Sequence, residues 1–138
     1  MATRASIKIS DCDGNFIANI YHHYDGYPEG LGAKLVEICN SGKIVNGLTA
    51  RPGFSGNQFN GFNDLACSIV FELKEHSGNG RVYLNTEDDY GQCGEDYLYE
   101  IVENPNGGEP LILVMNPFNG NEPELVSDVL DRTEELYS

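Results

Sequence analysis

Polar and apolar residues alternate near the start of the chain, with Ser6, Lys8 and Ser10 set against Ile7 and Ile9, and after Asp11 to Asn15 the pattern resumes from Phe16 to Tyr21. A period of two sends successive side chains to opposite faces of a sheet. The two runs therefore predict strands, and Asp13-Gly14 between them predicts a tight hairpin. The segment Tyr24-Asp25-Gly26-Tyr27-Pro28-Glu29-Gly30 breaks the alternation. Leu31, Leu35, Ile38 and Cys39 then recur at i, i+4, i+7 and i+8, which is one face of a helix with Pro28 near its start and Asn40-Ser41-Gly42 at its end.

From Gly42 to Gly61 no period is visible. Gly47, Gly53, Gly56, Asn57 and Asn60 are interspersed with Arg51, Phe54 and Phe59, so a long loop is expected, and loops of that length in a small domain commonly carry a contact surface. Phe62, Leu65, Ala66, Ile69, Val70 and Leu73 form a second helical face that ends at Ser77-Gly78-Asn79-Gly80. Arg81–Leu84, Tyr97–Val102 and Leu111–Met115 read as three further strands, the last two joined by Asn104-Pro105-Asn106-Gly107-Gly108. A closing helix is expected with Pro123 in its first turn and Leu125, Val126, Val129, Leu130 and Leu136 on its inner face. The order ββα-loop-αβββα predicts a single α+β domain over residues 1–138, with a mainly antiparallel sheet of about five strands and helices packed on one face.

A chain of 138 residues is long enough to bury a core unaided. Its longest apolar run, Leu111 to Met115, falls far short of the ~20 residues of a membrane span. The residues after Met1 lead into a strand pattern rather than an apolar signal segment, so the expected location is a cytoplasm. The four cysteines, Cys12, Cys39, Cys67 and Cys93, lack zinc-knuckle or redox-motif spacing and are expected as free thiols.

Charge changes the picture most. Eight Lys and Arg against 22 Asp and Glu leave a net charge of −14. From Glu87 to Ser138 there are fourteen acidic residues and one base, Arg132, so that third carries −13 of the total. Such a field repels a phosphate backbone, because affinity for nucleic acid rests on Lys and Arg displacing counterions. It favours encounter with a basic protein surface, or serves solubility alone.

The candidate chemistry is sparse. His22 and His23 are neighbours on a strand, so their side chains point to opposite faces and cannot chelate one metal together. Either one, with Asp25 or Glu29 nearby, has the makings of a general base. Asp11-Cys12-Asp13-Gly14-Asn15 lacks the glycine and glutamate positions of a calcium loop, and Glu29-Gly30-Leu31-Gly32-Ala33-Lys34 has neither phosphate-loop spacing. The glycines there fit close packing of a helix on a sheet. Carboxylates around Cys93 oppose thiolate formation, the reverse of what a nucleophile needs. No cofactor and no metal site is expected.

Thr3-Arg4 before the first strand, Asp13-Gly14 at the hairpin tip, and the block Tyr21-His22-His23-Tyr24-Asp25-Gly26-Tyr27-Pro28-Glu29-Gly30-Leu31-Gly32 resemble a family of small, uncharacterised proteins encoded by bacteriophages and prophages. The resemblance covers less than a third of the chain. It implies a phage or mobile-element origin and transfers no catalytic residue. Joined to the acidic third, it yields the expectation of a binding protein that inhibits a host nucleic-acid-handling defence complex of the CRISPR-effector kind. Glu87, Asp88, Asp89, Glu95 and Asp96 would supply charge, with Phe54, Phe59, Tyr90, Tyr97 and Tyr99 as aromatic anchors. The alternatives are a small enzyme using the Tyr21–Glu29 cluster and an accessory phage protein whose acidity serves only solubility.

Overall fold

The computed structural model describes residues 2–45, 57–78, 80–118, 120 and 122–137. Strands β1 (Ala5–Ser10) and β2 (Phe16–His22) form the expected hairpin. A π-helical turn (Pro28–Gly32) then runs into α1 (Ala33–Cys39). β3 (Gly42–Val45), β4 (Asn57–Asn60) and α2 (Gly61–Ser77) follow, and after them β5 (Val82–Asn85) and a 3-10 turn (Glu87–Asp89). The chain continues through β6 (Tyr97–Val102), β7 (Leu111–Met115), β8 (Glu124–Leu125) and α3 (Val126–Tyr137). At the hairpin tip the Asp11 carboxylate accepts the amides of Asp13 and Asn15 at 2.9 Å each, and Gly14 takes a left-handed φ of 82°. These contacts, with the Asn15 amide first among them, hold the Asp11 carboxyl below its usual range.

The fold is α+β, as expected, with a sheet of six strands rather than about five, in the order β5-β2-β1-β6-β7-β8. Within this sheet every pairing is antiparallel except β1 with β6, which is parallel. That exception has a topological cause. After β2 the chain crosses through α1, α2 and β5 before returning on the far side of β1, the kind of long crossover that parallel neighbours require.

Two expectations about local structure are corrected. The stretch after Gly42 is not loop throughout, because β3 and β4 pair in parallel as a second small sheet that sets Ile44 opposite Phe59. Phe59 is therefore a core residue, 6% exposed, and not a surface anchor. Phe54 lies outside the described residues. The closing helix begins at Val126 rather than at Pro123; Glu124 and Leu125 first pair with Val114 and Leu113 of β7. Proline has no N–H to give a ladder, which suits it to the residue before a short edge strand.

The three α-helices of the described residues cover one face of the sheet. Ile7, Ile9, Ile20, Tyr99, Ile101, Ile112 and Val114 from the strands pack in one cluster with Leu35 and Ile38 of α1, Leu65, Ile69 and Leu73 of α2, and Val126 of α3. Truncating such a fully buried leucine to alanine costs about 2–5 kcal/mol. Two glycines of the Tyr21–Gly32 block are set by this packing. A Cβ at Gly26 would lie 2.8 Å from both the Ala5 Cβ and the Thr3 carbonyl, and one at Gly32 would lie 3.0 Å from Val126 and 3.4 Å from the Tyr99 hydroxyl. No described helix is long and apolar enough to cross a membrane.

Candidate functional site

The second face of the sheet carries the polar positions of β1, and a half-exposed strand would leave them in water. Ser6 is nevertheless 0% exposed. The segment from Thr86 to Asp96 folds back over this face as a hook. Its centre is the Glu95 carboxylate, 2% exposed. One oxygen accepts the Ser6 hydroxyl at 2.7 Å and the Gly91 amide at 2.8 Å; the other accepts the Cys93 amide at 2.6 Å. Gly91 and Gly94, both left-handed, allow the backbone to curl round that carboxylate.

Further bonds pin the hook at each end. The Tyr90 hydroxyl donates to the Tyr99 carbonyl at 2.7 Å, the Asn19 side-chain amide donates to the Thr86 carbonyl at 2.9 Å, and the Asp96 and Tyr97 amides both donate to the Arg4 carbonyl. Lys8 on β1 reaches Glu87 at 3.7 Å and lies 5.8 Å from the centre of the Tyr90 ring. Held this way, the 3-10 turn presents Glu87, Asp88 and Asp89, all exposed, with Asp89 anchored by the Thr86 hydroxyl at 3.0 Å. Glu100, opposite Lys8 in the β1–β6 register, faces the same side.

The structure thus gathers only part of the expected contact set. Glu87, Asp88 and Asp89 form one exposed group. Asp96, half-buried, accepts the Arg4 amide at 3.0 Å. Glu95 is corrected from surface contact to buried pin of the hook. Tyr90 is likewise an internal clip, and burial pushes its hydroxyl well above the ordinary tyrosine range. Tyr99 belongs to the core, donating to the Gly26 carbonyl at 2.7 Å. Tyr97 is half-buried on the opposite, helix-facing side, lining a hollow with Pro28, Glu29, Val114 and Val129, so it does not join the acidic turn.

The carboxylates of the last third do not converge on a single surface either. Asp128, Asp131 and Glu134 lie on the outer side of α3, in the helix layer, across the sheet from Glu87–Asp89. Cys93 sits in the hook, and burial, followed by the charges of Glu95 and Asp89, raises its thiol pKa. Cys39, in the core, is pushed up to about 12 by burial. Neither position suits a nucleophile.

The Tyr21–Gly32 block forms a second polar cluster at the other end of β2. The two histidines do part to opposite faces. His23 Nδ1 lies 2.8 Å from the Tyr21 hydroxyl on the hook side of the sheet, where the buried Tyr21 stacks on Tyr83 at 4.8 Å. His22 turns under the helices, with Nε2 at 3.0 Å from the Ser77 hydroxyl. Ser77, as the last residue of α2, gave no sequence signal beyond its place at a helix end, and Lys8 gave none beyond strand alternation. Among the described residues no group of three or more His, Cys, Asp or Glu is placed to hold a metal ion. Comparison with protein-family models, with curated proteins and with solved structures found no match.

Proposed function

We propose that this is an acidic binding protein that acts by occupying a basic, nucleic-acid-binding surface on a partner. The observation that carries the reading is the Glu87-Asp88-Asp89 turn, three consecutive exposed carboxylates on a hook held to the sheet by the buried Glu95. Affinity gained from charge is offset by the entropy of ordering a loop, and a hook already pinned at its base loses less of it on binding. Lys8 is the sole basic neighbour bonded to the turn among the described residues, and an exposed pair of that kind contributes at most about 1 kcal/mol, so it opens readily to a competing cation. The contact surface is local, one turn and the adjoining sheet face with Glu100, rather than the whole acidic third.

The phage-like Tyr21–Gly32 block supports placing the partner among host nucleic-acid-handling defence complexes, with inhibition by occlusion and no chemical step. The test is capture from a bacterial host lysate, followed by measurement of the captured complex's affinity for its nucleic acid. The expected result is a basic complex whose nucleic-acid binding falls when this protein is bound, with association weakening as salt shortens the Debye length below about 10 Å. Substituting Glu87→Lys, Asp88→Lys and Asp89→Lys together abolishes that inhibition. Undiminished inhibition by the folded triple variant refutes the proposal.

A further inference from the structure

Beneath the helix layer, remote from the acidic turn, His22 and Ser77 meet at a cavity of about 210 Å³ that is also lined by Asp25, Lys34, Leu73 and His76. His22 is 3% exposed. Its Nε2 lies 3.0 Å from the Ser77 hydroxyl, and the Tyr24 backbone also acts on the ring. Asp25, beside the cavity, holds a left-handed φ of 56°, a conformation unusual for a residue with a side chain and one that clusters at working sites. The turn is fixed by the Leu31 amide donating to the Asp25 carbonyl at 3.0 Å, and Ser77 is fixed by Arg81, which donates to its carbonyl at 3.2 Å.

We propose that Ser77 and His22 are a nucleophile and its general base, transferring the acyl group of small esters or thioesters to water. The Ser77 oxygen attacks the acyl carbonyl carbon as its proton passes to His22 Nε2. The tetrahedral intermediate collapses, the leaving alcohol or thiol takes that proton, and an acyl-serine remains. Water, deprotonated by the same nitrogen, attacks the acyl-serine and releases the carboxylic acid, and Ser77 regains its proton. A serine within hydrogen-bond reach of a histidine is the signature of this chemistry. The required tautomer puts the ring proton on Nδ1. The nearby Asp25 charge and the Tyr24 backbone both favour the protonated ring, while His76 and His23 oppose it. Burial is the largest influence and holds the imidazole below its ordinary pKa, so the ring is an unprotonated base at neutral pH. Lys34, paired at 3.5 Å with the exposed Glu37, is the lysine lining the cavity and the available cation for the developing oxyanion. Leu31 and Leu73 give the acyl chain an apolar wall, and the volume restricts it to short chains.

The whole chain is incubated with a small alkyl fluorophosphonate, and its mass and modified peptide are determined. The expected result is one adduct, on Ser77, absent in Ser77→Ala. Its rate falls about 100-fold or more in His22→Gln. In the wild-type protein the rate rises with pH to a plateau whose midpoint lies below about 6.5. No adduct on the folded protein, an adduct elsewhere, or a rate that climbs with hydroxide without a plateau overturns the proposal. The mapped site and the pH profile come from the wild-type chain, so they decide the matter even if a variant unfolds. Partner capture by the acidic turn does not involve this cavity, and the two tests fail independently.

Discussion

Replacing Glu95 by alanine removes an acceptor of three hydrogen bonds at once. The Ser6 hydroxyl, in a residue with 0% exposure, would lie unpaired against the sheet, and the amides of Gly91 and Cys93 would lose their partner inside the hook. A buried donor left unsatisfied costs about 1–3 kcal/mol. The two amides sit in a loop that can open to water and belong at the low end, whereas Ser6, beneath the hook, belongs at the high end. The expected loss for Glu95→Ala is therefore about 3–5 kcal/mol. Ser6→Ala, which leaves the carboxylate two backbone donors, should cost only about 1 kcal/mol. Glu95→Gln retains the shape but turns an N–H₂ toward one set of donors and loses the charge-assisted bonds, and should fall between the two.

Urea unfolding of the three variants, compared at unchanged m-value, measures these losses, and hydrogen exchange at Gly91 and Cys93 locates them. The hook amides should lose protection in Glu95→Ala before the core strands do. If Glu95→Ala loses no more than Ser6→Ala, the carboxylate does not organise the hook and the reasoning fails. The consequence for function is equally direct. Glu95→Ala should weaken partner inhibition although Glu87, Asp88 and Asp89 are untouched, because the turn is no longer held in place.

Two further outcomes test the packing and the electrostatics. Gly26→Ala brings a methyl group to 2.8 Å from Ala5 and from the Thr3 carbonyl, neither of which can move without disturbing β1, so thermal or urea unfolding should show a loss of about 1–3 kcal/mol. His22 has its pKa lowered by burial, so the unfolded chain takes up the proton at its ordinary value of about 6.5, before the folded one does. Stability from this group is complete above that value and declines as pH falls toward the folded pKa, by at most about 1.4 kcal/mol per pH unit. Urea midpoints at pH 7.5 and pH 5.5 should therefore diverge more for the wild-type protein than for His22→Gln, and equal divergence would refute the assignment.

Local pattern carried much of the architecture. The alternation through Ile7, Ile9 and Ile20 with Asp13-Gly14 specified the first hairpin, and the 3.6-residue spacing of Leu65, Ile69 and Leu73 specified the long helix, because each pattern depends on neighbours in the chain. Four-residue strands such as Asn57–Asn60 are too short to show a period. Phe59 is buried because the small sheet delivers it to the core cluster, with Ile44 opposite it in register. Of the candidate contact residues, the exposed Glu87, Asp88 and Asp89 were legible as charge. Glu95, in the same run, was not distinguishable from them.

What the amino-acid order determined alone was therefore the first hairpin, the longer strands and the long helix, the α+β class, the acidic balance and the separation of His22 from His23 across the sheet. Tertiary structure decided which strands meet, which carboxylate is buried and which serine faces His22. Ser6 and Glu95 stand 89 positions apart, and His22 and Ser77 stand 55 apart. No local propensity encodes such contacts. They form only when the crossover returns the chain to the far side of β1 and closes the helices over one face, so that a hydroxyl and a carboxylate, each unremarkable in sequence, become each other's buried partner.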